Sequence, residues 1–472
     1  MVNTMKTQTI LSRPEPQASL LITNAAAVVT MDQNLTVLKN GYVYVEHGGV
    51  KEVGAMPGAS CLPGDDACIR VNAGGKVVLP GFVNTHHHLY QTLTRAYPPV
   101  MNSALFHWLQ QLYPVWAKLD EEAIRLATLV GLAELMLSGC TTTTDHHYVF
   151  PRGMRGELID LQIDAAAKIG MRFHPCRGSM NLSQKDGGLP PDSVVQTEAE
   201  ILQDSERLIH TYHDPSPGAM IRIALAPCSP FSVTTELMAN TALLAQKKGV
   251  RLHTHLAETI DEEQFCLQRF GCRPVDYLEK VGWLNNSTWL AHGIHFSAEE
   301  IARLGAAGVG IAHCPGSNMR LGSGIAKVTE LMEAGAPVGI AVDGSASNDA
   351  SNMLAEVRQA LLLARLARGA DRMPVLDALK MATVGGAACL GRDDIGALEP
   401  GKSADIAIFS LEDIGYSGAG DPVGALLLCQ PSRVETLIIN GKIVVAHGQL
   451  QTLDLPPILE AHRKKAKEMQ EG

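Results

Sequence analysis

In the run Lys76-Val77-Val78-Leu79-Pro80-Gly81-Phe82-Val83-Asn84-Thr85-His86-His87-His88, an apolar strand-like segment passes a Pro-Gly turn and delivers two histidines separated by one residue. Residues two apart on an extended chain point to the same side. His86 and His88 are therefore expected to face one point together, with His87 turned elsewhere. Later apolar runs end in similar groups: His253-Thr254-His255-Leu256-Ala257-Glu258, Ala291-His292-Gly293 and Ile340-Ala341-Val342-Asp343-Gly344. Three imidazoles (His86, His88, His255) and one carboxylate (Asp343) make a donor set that suits zinc or ferrous iron and leaves room for a water. His253 competes with His255, because alternation places both on one side of their strand.

Between residues 83 and 390 the pattern alternates strands and helices. Strands are predicted over Thr141–Asp145, Arg172–Cys176, Ile221–Ala226, Val250–His255, Thr288–His292, Val309–His313 and Pro337–Asp343. With Val77–Val83 added, the total is about eight, which is the count of a (β/α)8 TIM barrel. Periodic apolar faces mark intervening helices, one through Ala123, Leu126, Ala127, Val130, Ala133 and Leu137, another through Leu354, Val357, Leu361 and Ala364. A doubly wound open sheet is the rival architecture, but the glycine-rich phosphate loop it often carries is missing. In a barrel, His86, His88, His255, His292 and Asp343 all fall at C-terminal strand ends, where such folds gather their active sites.

The flanks read differently. Short strands recur at 19–23, 27–30 and 41–46, and again at 404–409 and 434–441, separated by Gly-, Pro- and Asp-rich breaks. The expected layout is a small β-sandwich built from both termini (1–82 and 391–472, with loose tails such as residues 1–17) flanking a distorted barrel at 83–390. At 472 residues the chain is long enough for both. Charged residues make up 19% and the net charge is −10 with no basic run, which argues against a nucleic-acid polymer as partner. The ten cysteines form no Cys-x-x-Cys pair, and several lie inside apolar runs and read as reduced core residues of a cytoplasmic protein. No signal-peptide core or membrane-length apolar stretch is present in the sequence, so no membrane association is expected.

Together Pro80-Gly81-x-x-Asn84-x-His86-x-His88, His255-x-x-Glu258, Ala291-His292-Gly293, His313-Cys314-Pro315-x-Ser317-Asn318 and Asp343-Gly344-x-x-Ser347-Asn348 resemble the aminohydrolase branch of the amidohydrolase superfamily. The likeness covers nearly the whole chain, including Gly401-Lys402-Ser403-Ala404-Asp405-Ile406. It implies one divalent metal, zinc first and iron second, on His86, His88, His255 and Asp343, and the Glu three residues past His255 decides between His255 and His253. No lysine ends the fourth strand, at Ala226-Pro227-Cys228, so a single ion is expected. A divalent ion brings the pKa of its water from about 15.7 towards about 7. The resemblance makes Asp343 the acceptor of that water's proton, Glu258 the proton carrier to a substrate ring nitrogen, and His292 a hydrogen-bond donor to the attacking oxygen. His313 and the His146-His147 doublet are expected to support the site or the fold, although His146 could line the mouth.

For the substrate, Gln91 and Trp108 resemble substrate-contacting positions of guanine deaminases, an amide to pair with a heterocycle edge and an indole to stack or donate its N–H. Where guanine deaminases carry an Arg-Phe pair after the fourth strand, this chain has Cys228-Ser229-Pro230-Phe231. In 8-oxoguanine N7 bears a hydrogen, so a cationic donor there is misplaced and Cys228 is the better neighbour. The runs Thr141–Tyr148, Arg177–Met180 and 343–349 look most like those of 8-oxoguanine deaminases and also resemble s-triazine hydrolases. The resemblance therefore implies hydrolysis of 8-oxoguanine at C2 to urate and ammonia. Triazine hydrolysis, guanine deamination and, further off, a silent scaffold of the same fold are the alternatives. Relatives often form dimers or larger assemblies, but no interface pattern is legible in the chain.

Overall fold

A computed structural model describes residues 19–56, 62–64, 68–154 and 157–471. The tail at 1–17 and Cys61 lie outside the described residues. Eight parallel strands form one sheet in chain order: β1 (Phe82–Asn84), β2 (Cys140–His147), β3 (Arg172–Ser179), β4 (Ala224–Pro227), β5 (Arg251–Leu256), β6 (Thr288–His292), β7 (Gly310–His313) and β8 (Val338–Ile340). Their residues are buried almost throughout, as expected of parallel strands covered by helices. The segments after β1 and β8 close the circle. Thr85 N–H donates to Ile340 O (3.1 Å), Val342 N–H to Asn84 Oδ1 (3.0 Å) and Asp343 N–H to His86 O (3.2 Å). Asn84 also donates from Nδ2 to Thr143 Oγ1 on β2 (2.9 Å), so one side chain ties three neighbouring segments at the rim.

The other sheet has nine strands and draws on both flanks, as the sequence predicts. Its hydrogen-bonded order places Ile406–Ser410 and Thr436–Ile439 beside Lys76–Pro80, Leu20–Val29 and Val37–Glu46. Two expectations need correction. The segment 77–83 is not one barrel strand: Lys76–Pro80 pairs in the flanking sheet with Ile406–Ser410, and only Phe82–Asn84 enters the barrel. The chain changes sheets at Gly81, where a Cβ would stand 2.1 Å from Thr141 Cγ2 and the N–H donates to Asp405 O (2.8 Å). The predicted strands at 19–23 and 27–30 are one ten-residue strand, Leu20–Val29, bulged between Ile22 and Ala25 with Asn24 at φ 61°.

A helix that the sequence reading did not foresee, Leu455–Glu471, packs against the barrel helix Glu121–Leu137. Its apolar face is thin, with only His462 and Met469 buried, so its pattern is weak in sequence. No described helix is long and apolar enough to cross a membrane. The nine described cysteines are unpaired and seven are buried, which fits reduced core thiols.

One ion pair joins the two sheets. Arg172 at the start of β3 donates from Nε and Nη2 to Asp405 (2.8 and 3.0 Å), whose Oδ1 also accepts from Asn440 N–H (2.8 Å). Both side chains are buried. Removing one partner of such a pair leaves an uncompensated buried charge, at a cost of about 3–5 kcal/mol. Asp405→Ala is therefore expected to lower unfolding stability by about that amount in denaturant titration, and Asp405→Ala with Arg172→Met to recover part of it. An unchanged midpoint in the single variant contradicts this role.

Candidate metal centre

The C-terminal ends of β1, β5, β6 and β8 bring the predicted residues together at one rim. His86 Nε2 lies 3.2 Å and His88 Nε2 3.3 Å from Asp343 Oδ1, and His88 Nε2 lies 3.1 Å from His255 Nε2. His87 points away, with its Nε2 at 3.1 Å from Ser351 Oγ. All four central side chains are buried.

Backbone carbonyls determine which nitrogen of each ring carries the hydrogen. A carbonyl oxygen can only accept, so His88 donates from Nδ1 to His146 O (2.8 Å) and His255 from Nδ1 to Cys228 O (2.7 Å). His253 likewise donates from Nδ1 to Trp289 O (2.9 Å), which leaves its Nε2 to accept from His86 Nδ1–H (2.7 Å). Burial pushes the pKa values of His86, His88 and His255 below the ordinary imidazole value, so the rings stay neutral. Each then presents an Nε2 lone pair to the same small volume, where lone pair faces lone pair across 3.1 Å and a carboxylate oxygen adds a fourth. His86 Nε2 and Asp343 Oδ1 are buried without a hydrogen-bond partner. A divalent cation answers all four donors at once, and these residues fit one. The pair His253–His86 also separates the two candidates on β5: His253 supports His86 from beneath, and His255 reaches the rim.

His146, expected to support the site, stands closer than that. Its Nε2–H donates to Ala226 O (2.8 Å), its ring stacks on His255 at 4.8 Å, and its ligand atom falls in one group with those of His86, His88 and His255. Asp343 groups separately with His86 and His292. His313 is buried, and burial lowers its pKa to about 3, consistent with a neutral structural ring.

The acid–base groups sit beside this cluster. His292 donates from Nδ1 to Asn318 Oδ1 (2.9 Å) and turns Nε2 towards Glu258 Oε2 (3.5 Å) and Asp343 Oδ2 (3.9 Å). Burial opposes charge on His292, but Glu258, Cys314 and Asp343 outweigh it and hold its pKa well above the ordinary value. Burial pushes Glu258 up to about 7. Burial also acts on Asp343, but its pKa is held well below the usual range, favoured by the charge of His292 and by Ser347 Oγ–H, which donates to its Oδ2 (3.0 Å). Ala257, His292 and Asp343 all take left-handed backbone at φ 54°, 71° and 60°. Strained non-glycine residues of this kind cluster at functional sites.

A narrow cavity opens over these groups, lined among others by Gln91, Trp108, Tyr148, Cys228, Phe231 and Glu258. Among the described residues, no lysine or arginine lines it. Gln91 accepts at Oε1 from Ala346 N–H (3.3 Å), which leaves its NH2 for a ligand acceptor. Glycine at 344 permits this, since a Cβ there would lie 1.9 Å from Gln91 Oε1. Trp108 spends its indole N–H on Ala346 O (3.3 Å), so its ring is the part left to meet a ligand. The Cys228 thiol is pushed up to about 12 by burial and stays neutral. Tyr148 was missed in the sequence, where it is one aromatic after a His-His doublet; its ring stands edge-on to His88 at 5.0 Å.

The chain matches the model of the amidohydrolase family over residues 77–444. It is 57% identical to an 8-oxoguanine deaminase of Pseudomonas aeruginosa over 90% of this chain and 94% of that protein. It is 39% identical to hydroxydechloroatrazine ethylaminohydrolase of Pseudomonas sp. strain ADP, covering 92% of each. Among solved structures, atrazine chlorohydrolase from Arthrobacter aurescens TC1 complexed with zinc superposes with a TM-score of 0.89 at 33% identity, over 96% of this chain and 100% of that one. With four buried donors gathered at the rim of an eight-stranded barrel, and with kinship of this extent, the chain belongs to the amidohydrolase family.

Proposed function

We propose that this protein is a zinc-dependent hydrolase that converts 8-oxoguanine to urate and ammonia in the cytoplasm. The observation that carries the substrate is the 57% identity to an 8-oxoguanine deaminase, together with a cavity that presents Gln91 and a neutral Cys228 and, among the described residues, no lysine or arginine. We assign the metal to His86, His88, His255 and Asp343, the catalytic proton transfers to Glu258, His292 and Asp343, and substrate contacts to Gln91, Trp108 and Cys228. The similarity to a zinc-complexed atrazine chlorohydrolase supports zinc over iron. We take 83–390 as the catalytic barrel and 1–82 with 391–472 as the flanking β domain, a division supported by the change of sheet at Gly81. Assembly into homo-oligomers belongs to the same proposal.

A bound divalent ion supplies Lewis acidity, which brings the pKa of water from about 15.7 to about 7. The side chains do the rest. Asp343, ionised and steadied by Ser347, takes a proton from water as its oxygen adds to C2 of the purine. Glu258, near 7, gives a proton to the ring nitrogen beside C2, which draws electrons from that carbon. His292 donates from Nε2 to the incoming oxygen, with Asn318 fixing the ring. Asp343 then passes its proton to the amino group, the C2–N bond breaks to release ammonia, and Glu258 recovers a proton from the new C2 hydroxyl, which leaves the carbonyl of urate. Gln91 donates its NH2 to an acceptor on the heterocycle and Trp108 covers a ring face.

Glu258→Gln is expected to lower kcat/KM for 8-oxoguanine by about 10²–10⁴-fold while metal content stays at the level of the parent protein. Full turnover in that variant removes Glu258 from the reaction. His253→Ala keeps all four assigned ligands and is expected to weaken metal retention against a chelator by about 10–100-fold; unchanged retention means that the ring does not orient His86. On one preparation, 8-oxoguanine should give a larger kcat/KM than guanine or hydroxyatrazine. Equal values for 8-oxoguanine and guanine rule out the substrate assignment.

A further inference from the structure

The opposite face of the barrel carries a second cavity, of ≈ 820 Å³, at the N-terminal ends of β4, β5 and β6. That volume lies in the range of small-molecule sites. Arg222, Arg251, Lys280, His174 and His213 line it, and among the described residues no aspartate or glutamate does. In a chain with a net charge of −10 this local absence of acid stands out. Its walls are partly apolar, with Ala242, Leu243 and Val281 on one side and Leu390 on another.

The polar side chains there, two guanidiniums and the neutral ring of His174 above all, are poorly answered. Arg251 has no carboxylate partner among the described residues; its Nε is buried without a hydrogen bond, and its guanidinium rests 5.9 Å from the Trp289 ring. Burial lowers the pKa of Arg251 to about 10 with no acid to offset it. Arg222 donates from Nη2 to the carbonyls of Pro215 (3.0 Å) and Ser216 (3.2 Å) and from Nη1 to Gly391 O (3.4 Å), while its Nε is buried and unpaired. Asp394, Asp214 and Asp393 offset part of its charge, but none of them lines the cavity, and Asp394 is held by Arg392 and Gly218 N–H. His174 is 2% exposed, and neither ring nitrogen has a partner. Lys280 ends the helix Pro274–Lys280, whose carbonyls answer some of its charge, so the weight rests on Arg251, Arg222 and His174.

We infer that this cavity is a second binding site, separate from the metal centre, for a small organic anion that places a phosphate or carboxylate at Arg251 and Arg222 and an apolar body against Leu243 and Leu390. A buried guanidinium without a counter-charge is costly, and an anion that binds bidentately offsets that cost. The inference does not depend on the identity of the substrate, and binding is read without turnover.

Phenyl phosphate and benzoate, titrated separately into the metal-loaded full chain by calorimetry, test the two head groups on one apolar body. Saturable binding of either probe, at one molecule per chain and weakened by salt, is expected. Arg251→Met should weaken it about tenfold or more. Gln246→Glu, which puts an acid on the exposed edge of the cavity, should also weaken it. Both variants should keep the parent kcat/KM for 8-oxoguanine. Binding of one probe alone assigns the head group. No binding of either, or binding indifferent to both variants, overturns the proposal; Gln246→Glu keeps the test open if Arg251→Met fails to fold.

Discussion

Three buried imidazoles turn unprotonated nitrogens into one small volume, two of them against a single carboxylate oxygen, and the rest of the structure serves that arrangement. Neutral rings at this spacing repel through their lone pairs, and burial denies them the protons that would relieve it. Only a cation shared by all of them resolves the conflict. The fold sustains it by fixing each ring through its other nitrogen: His86 on His253, His88 on His146 O and His255 on Cys228 O. His253 in turn hangs from Trp289 O, and Trp289 donates its indole N–H to Thr85 O, directly before His86. The support thus runs in a loop through β1, β5 and β6, and the inward-facing nitrogens are held by the opposite side of each ring.

Around that cluster the same burial yields two carboxylates of opposite character. Asp343 faces the charged His292 and is held ionised, whereas burial pushes Glu258 up to about 7. Environments that drive two acids apart in this way separate a permanent anion from a proton carrier. The left-handed backbone at Ala257, His292 and Asp343 puts Glu258, an imidazole and a carboxylate at the rim just where their strands end. Closure of the barrel by Asn84 and Thr85 brings Asp343 and His86 within reach although their positions lie far apart in sequence.

Much of this was legible in the chain. His86 and His88 were readable because a period of two is a local rule, and His255, His292 and Asp343 because each terminates an apolar run. The barrel followed from the alternation of such runs with helical stretches. What the chain concealed depends on packing between distant segments. The switch of sheets at Gly81 rests on a close approach to Thr141, and alternation alone cannot rank His253 against His255, since the layer each occupies is set by Trp289 and His86. The tie between Trp108 and Ala346, and the Arg172–Asp405 pair, link residues with no shared periodicity. The helix Leu455–Glu471 buries too little to leave a clear apolar stripe.

Anomalous diffraction from crystals of the metal-loaded protein, collected on both sides of the zinc absorption edge, tests the central claim most directly. The account predicts a single peak per chain bounded by Nε2 of His86, His88 and His255 and a carboxylate oxygen of Asp343, with His253 and His146 outside coordination distance. A peak coordinated by His253 or His146 in place of one of these, or no peak at this rim, contradicts it.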